Sequence, residues 1–355
     1  MKTTQNFLAA RIIAAVAVLL LAGCASVSPQ RITTDRMDYG QVIADSWKRQ
    51  TLLNVVRLRY GDAPVFLEVA SIINSYSVGG KANASAELPN QIDPNVFRFG
   101  AEGTWSNTPT VTYQPLMGDK FTKSLLQPVP PSAVFQLMQG GWPADLVLPT
   151  VVGSINGLRN TIGGIGAEPG FQRLVEALSR IQRAGGLGIR VEARKDGSAV
   201  VVVIRREGSG SEPSKDGRLV QELLGLEDNV GEFEIAYGLV QRNRREVAIL
   251  SRSMLEIILQ LGFNIDLPAG HAKDGRALPG RWQAGDAEAK PLVRIHSGSE
   301  APTEAYTAVP YKGHWYWIDE TDIASKRTFT FLLILFSLAE TGQSAAAPVV
   351  TVPSR

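Results

Sequence analysis

The residues with the most obvious chemical potential lie in one short stretch near the carboxyl end of the chain. His314 is followed by Asp319, Glu320 and Asp322. Two carboxylates about 5–10 Å apart are what glycosidic cleavage requires, one to protonate the leaving oxygen and one to attack or to activate water. A histidine beside them would add a group that titrates near neutrality. The same aspartates also suit a turn and a helix cap ahead of Ser325-Lys326-Arg327, because Asp favours both positions. His314 adjoins Trp315 in a β-prone run and reads equally as a packed histidine. His271 and His296 are the only other histidines, and neither their spacing nor that of the carboxylates demands a zinc site. No metal and no cofactor is expected.

Two further groups suggest binding. Arg242, Arg244 and Arg245, with Arg252 nearby, form a local basic run. A guanidinium grips carboxylate or phosphate at two points, and envelope polymers and lipid headgroups offer both. The plainer alternative is a solvated face balanced by neighbouring acids. Tyr311, Trp315 and Trp317 would share one face of a single strand, since alternate residues do. Exposed, they would stack on sugars; covered, they would pack in the core.

The common catalytic templates are missing. The chain contains no G-x-S-x-G, S-x-x-K, H-E-x-x-H or G-x-x-x-x-G-K-[ST]. After Gly164-Ile165-Gly166 the next glycine is Gly170, one position too late for a dinucleotide fingerprint.

Cys24 is the only cysteine, which excludes an internal disulfide and a multi-cysteine metal site. Ahead of it, Lys2 and Arg11 precede an unbroken apolar run from Ile12 to Ala22. That is the plan of a secretory signal peptide, and the run is shorter than the ~20 residues a membrane-spanning helix needs. Leu21-Ala22-Gly23-Cys24 resembles the lipobox of bacterial prolipoproteins. The resemblance implies that the Cys24 thiol receives a diacylglyceryl group, that cleavage falls between Gly23 and Cys24, and that the new amino end is acylated. Each buried methylene contributes roughly 0.8 kcal/mol, so two or three chains would hold the protein at a membrane indefinitely. Ala25 follows the cysteine where these lipoproteins carry aspartate for inner-membrane retention, which favours the outer membrane of a diderm cell. The 36 basic residues, less Lys2 and Arg11, then balance 34 acidic ones. A neutral mature chain excludes a strongly basic nucleic-acid binder, and no nucleic-acid partner is expected.

The elements that must position these groups read as a mixed α+β fold, with a mixed sheet and packed helices in one or two domains. The chain has 355 residues, 44% hydrophobic, which suffices for that. Residues 1–23 are the signal peptide and 24–40 a flexible tether. Residues 41–165 form an N-terminal α+β region rich in strands and loops, opened by a helix over 41–60. Glycines around 161–170 mark a boundary, and 166–341 form a C-terminal α/β region. There, Phe171, Leu174, Val175, Leu178 and Ile181 keep helical spacing over 169–184. Lys195-Asp196-Gly197 joins two β-branched runs as a hairpin. Ser253 and Glu256 have capping-box spacing for a helix over 253–261. Residues 328–338 (TFTFLLILFSL) read as a central strand covered on both faces. The tail 342–355 reads as disordered.

Two body stretches, Trp47 to Pro64 and Pro109 to Pro131, are similar to bacterial envelope lipoproteins that carry no assigned activity. Together with Cys24, this implies a lipid-anchored, periplasm-facing binding or structural component with an envelope protein or glycan as partner. The alternative is an envelope hydrolase or glycan-processing enzyme using His314, Asp319 and Asp322.

Overall fold

The computed structural model describes residues 29–87, 96–163, 166–194, 197–204, 214–228, 230–278 and 291–340. Leu21, Ala22, Gly23 and Cys24 lie outside the described residues, as do the tail 342–355 and the Lys195-Asp196 turn.

Helix α1 runs from Pro29 to Arg59, so residues 29–40, expected to be part of an irregular tether, are helical. Leu52, Val55 and Val56 are fully buried along its last turns. The helix stops at Gly61, whose φ of +71° is a conformation that glycine takes without strain. The chain then runs back along the helix. Asn54 donates from Nδ2 to the Val65 carbonyl at 2.8 Å and accepts from the Val65 amide at 2.9 Å. One turn earlier, the Gln50 carboxamide donates to the Leu67 carbonyl and accepts from the Leu67 amide in the orientation that satisfies it.

Strands β1 (Leu67–Glu87) and β2 (Val96–Pro115) follow as one long antiparallel arm. They form a two-stranded sheet of their own. The register runs from Leu67↔Pro115 to Glu87↔Val96, with a bulge between Val69 and Ser71.

Helix α2 (Gly118–Phe121) continues into a π-helical turn over Thr122–Leu126. Helices α3 (Pro131–Gln139) and α4 (Ala144–Val151) come next, and α4 passes directly into β3 (Val152–Ile155). A tight turn through Asn156 and Gly157, both at positive φ, returns β4 (Leu158–Arg159). Helix α5 (Pro169–Arg183) buries the five residues its spacing selects. Strands β5 (Leu187–Arg194) and β6 (Gly197–Ile204) form the expected hairpin pair. Helix α6 (Lys215–Leu224) is capped by Ser214 and ended by Gly225 in the left-handed region. Strands β7 (Glu232–Tyr237) and β8 (Glu246–Ser251) precede α7 (Met254–Gly262), whose cap Ser253 accepts from the Glu256 amide.

These strands form a six-stranded sheet in the order β4-β3-β8-β7-β6-β5, antiparallel except for the parallel pair β7/β8. The division expected near residue 165 does not separate two cores, because β3 pairs with β8 through Ser154↔Leu250. One buried cluster extends from Leu52 of α1 to residues 329–336. A second sheet has the order β10 (Thr307–Tyr311), β11 (His314–Ile318), β9 (His296–Gly298). The protein is α+β, as the sequence implies.

The last element overturns an expectation. Residues 328–338 lie within helix α8 (Ile323–Glu340), not a strand. Phe329, Phe331, Leu332, Leu335 and Phe336 are buried. Apolar residues on nearly every side erase the helical period, and β-prone Thr, Phe and Ile then mislead. Tertiary packing, together with a cap at Asp322, outweighs that propensity.

Candidate functional site

The structure does not bring His314 to the aspartates. Asp319 Oδ1 accepts from the Thr321 amide at 2.8 Å and from Thr321 Oγ1 at 2.7 Å, closing a turn. These bonds hold the Asp319 carboxyl below the usual carboxylate range. Asp322 accepts from the Ser325 amide at 3.0 Å and from Ser325 Oγ at 2.6 Å, which makes it the N-cap of α8. Ser325 Oγ in turn accepts from the Arg294 amide at 2.8 Å. Glu320 pairs with Lys326. His314 begins β11 and Ile318 ends it, so the strand carries His314 about 13 Å from the turn at ~3.3 Å per residue. The cap reading of the aspartates is the one the geometry realises.

The aromatic trio is also divided. Lys312 and Gly313 sit at φ +45° and +79° and turn the chain between β10 and β11. Tyr311 therefore pairs with His314 and shares the face of Tyr316, while Trp315 and Trp317 occupy the opposite face. The turn breaks the run that a single strand would have kept in phase. Trp315 pairs with Gly298 and Trp317 with His296. The Trp317 ring tilts against the His296 ring at 5.6 Å. A Cβ on Gly298 would meet the Trp317 ring at 3.2 Å, so glycine there makes room for the indole. Both tryptophans are half-buried and serve packing more than display.

The basic run is balanced by acids. Arg242 Nε lies 2.7 Å from the buried Glu246 carboxylate, and Arg245 Nε lies 2.5 Å from Glu227. Arg244 Nη2 donates to the Leu226 carbonyl at 3.1 Å. Arg252 does not join this surface. It is 1% exposed. Its Nη1 donates to the carbonyls of Pro149 at 2.9 Å and Thr150 at 3.2 Å, and its Nη2 to that of Thr161. These are the carbonyls left over where α4 ends and β4 leaves, so Arg252 caps a helix C-terminus from inside the core. Burial brings its guanidinium down to about 10.

A polar cluster that no spacing announces does gather titratable groups. Tyr60, at the end of α1, places its hydroxyl 2.7 Å from His271 Nδ1 and 2.5 Å from the Tyr316 hydroxyl. His271 meets His314 edge-on at 4.9 Å. Tyr311 donates to Asp62, and Lys312 Nζ lies 2.7 Å from the same carboxylate. The Lys312 ammonium stands 5.1 Å from the Tyr60 ring centre. Burial raises Tyr60 and Tyr316, and burial followed by the Asp62 contact pushes Tyr311 up to about 12. Burial first, then the nearby His314, holds His271 below its ordinary value. Lys312 and then Tyr311 hold the Asp62 carboxyl low. The buried centre is thus neutral phenols around a neutral imidazole, and it clamps α1 to the β10/β11 hairpin. Tyr60 and His271 are 211 residues apart, so only the tertiary fold reveals the pair.

An open cleft of about 540 Å³ lies elsewhere, between α3, the end of α5 and Arg327. Gln182 on its wall is committed, donating to the Met138 and Trp142 carbonyls at 2.6 and 2.7 Å and accepting from the Ala144 amide at 2.8 Å. Among the described residues, no three His, Cys, Asp or Glu side chains are grouped to hold a metal ion, and no helix is long and apolar enough to cross a membrane.

No protein-family model matches the chain, and no curated protein or solved structure is significantly similar to it. Function is therefore argued from the fold and its surfaces.

Proposed function

We propose that the chain is a lipid-anchored, periplasm-facing envelope protein that works by binding and assembly and not by turnover. Acyl chains on Cys24 supply the membrane attachment, and an outer-membrane position follows from Ala25 if the cell is diderm. The observation that carries the assembly reading is the β1/β2 arm. Among the described residues no other strand joins it. Its base also leaves Leu67 40%, Val69 37%, Val111 38% and Tyr113 53% exposed. An isolated two-stranded ribbon is marginal in water, and unpaired edges invite pairing, so an arm of this length calls for an external partner. The hydrolase alternative would use Asp319 and Asp322, which hold turn and cap hydrogen bonds at the start of α8.

The anchor is tested by mass spectrometry of the mature amino-terminal peptide together with membrane fractionation. The expected product begins at Cys24, carries diacylglycerol and an amide-linked acyl chain, and sediments with the envelope. Cys24→Ser should accumulate unprocessed precursor. Processing and sedimentation unchanged by that substitution would refute the anchor.

A further inference from the structure

The register of the arm sorts its residues into two unlike faces, because successive strand residues alternate. Over the outer ten pairs one face holds Val78 opposite Trp105, Ala82 opposite Ala101, Ala84 opposite Phe99 and Ala86 opposite Phe97. The other face holds Lys81 opposite Glu102, Asn83 opposite Gly100 and Ser85 opposite Arg98. Towards the body the sorting weakens: the first face continues with Tyr76 opposite Asn107, Asn74 opposite Pro109 and Ile72 opposite Val111, and the second with Ser77 opposite Ser106, Ser75 opposite Thr108 and Ile73 opposite Thr110. The bulge between Val69 and Ser71 keeps it in phase. With the extra residue absorbed there, Leu67, Val69, Val111 and Tyr113 all fall on the apolar face, and all four are exposed.

An amphipathic ribbon of this kind is out of place in water and equally incomplete in lipid as a single hairpin. Water would wet its apolar face. Hydrocarbon would cover that face but leave the outer backbone groups of both strands without partners, which a bilayer does not tolerate. A closed barrel with apolar outside and polar inside satisfies both faces and both edges. The strands are 21 and 20 residues long, so their outer halves alone supply the ~9–11 residues that a tilted strand needs to cross a bilayer. One chain contributes two strands, so closure requires further copies, the β1 edge of one pairing with the β2 edge of the next around a ring.

The position of the arm agrees with this. The contacts of Asn54 with Val65 and of Gln50 with Leu67 show the chain entering the arm antiparallel to α1, heading toward the helix's amino end. That end, Pro29, is five residues from Cys24, which a fully extended chain spans in at most ~18 Å. The chain therefore enters the arm in the direction of the amino end of α1.

We propose that copies of this chain pair their β1/β2 arms edge to edge into a transmembrane β-barrel, with the Ala82/Ala84/Phe99 face in lipid and the Lys81/Glu102/Arg98 face lining an aqueous pore. Four copies would supply only eight strands, whose lumen side chains fill, so an aqueous pore calls for about eight copies and sixteen strands. The pore is the further function, passing ions or small polar solutes. It rests on the lipid-anchored reading for delivery to the membrane but not for the ring itself.

The test uses the full-length chain purified in detergent and reconstituted into phosphatidylethanolamine/phosphatidylglycerol vesicles loaded with a small uncharged polar dye. The expected results are a defined oligomer by light scattering and release of the dye. Ala84→Asp combined with Ala101→Asp places charge on the lipid face and should cut release at least tenfold, while the thermal unfolding of the body stays unchanged. Ser85→Asp combined with Thr104→Asp places the same charge on the lumen face and should preserve release while shifting ion selectivity toward cations. A monomeric, silent wild type overturns the proposal, as does release that both pairs affect alike or that neither affects. Cys24→Ser reconstituted directly from detergent separates the two readings. It still releases dye if the barrel stands and the anchor fails, whereas an acylated but silent wild type leaves the anchor standing without the barrel.

Discussion

Replacing Arg252 with alanine tests whether the core depends on an internal charged cap. In the native fold this guanidinium serves the Pro149, Thr150 and Thr161 carbonyls, with Glu256 3.7 Å from its Nε. The Pro149 carbonyl keeps a second donor, Asn160 Nδ2 at 2.8 Å, so alanine strands chiefly the other two. A buried acceptor left without its partner costs about 1–3 kcal/mol. The lost packing of a side chain only 1% exposed adds to this, and relief from burying a charge subtracts from it. The net expectation is a loss of about 3–5 kcal/mol, in the range seen when one member of a buried polar set is removed. Arg252→Lys keeps the charge but cannot fork to three carbonyls, and should lose about half as much. Guanidinium unfolding followed by tryptophan fluorescence measures both. An alanine variant within about 0.5 kcal/mol of wild type would refute the reasoning, since that is the range of an ordinary surface substitution.

Other consequences follow from the same geometry. Asp322→Ala should cost about 1 kcal/mol through loss of the α8 cap, whereas Asp322→Asn, which keeps an acceptor for the Ser325 amide but not for Ser325 Oγ, should lose less in the same unfolding assay. His271 is held below its ordinary value of 6.5 in the fold and titrates there when unfolded. The unfolded chain then binds the proton first as pH drops. Stability should be full above pH 6.5, decline as pH falls below it, and level off once the folded ring titrates too. In His271→Gln, urea midpoints should lose that slope between pH 7 and 5. Tyr60→Phe, which removes the hydroxyl shared by His271 and Tyr316, should cost about 1–2 kcal/mol of stability in the wild-type background.

Local signals carried much of the fold. The 3.6-residue spacing of Phe171, Leu174, Val175, Leu178 and Ile181, bounded by Pro169 and Gly185, is α5. Ser253 with Glu256 is the start of α7. Asp322 with Ser325 signalled α8 in the same way, but the apolar stretch from Thr328 hid the period that would have confirmed it. The pairing of β1 with β2 is not legible in the sequence, because the two faces separate only once a register is known, and a single bulge at Val69/Ser71 shifts the parity of β1. Among the site residues, the acids around the Arg242–Arg245 run were foreseeable in type. The inward turn of Arg252 and the meeting of Tyr60 with His271 depend on contacts more than 90 residues apart in sequence.

Cysteines placed one at a time along the arm, each compared with the unsubstituted chain as the control for Cys24, test the proposed barrel most directly. Ala82→Cys, Ala84→Cys and Ala101→Cys should resist a water-soluble maleimide in envelope membranes and react with a lipid-dissolved photoprobe. Asn83→Cys, Ser85→Cys and Gly100→Cys should do the reverse. An alternation of period two along both strands is the predicted result. Uniform maleimide labelling of all six positions would contradict it.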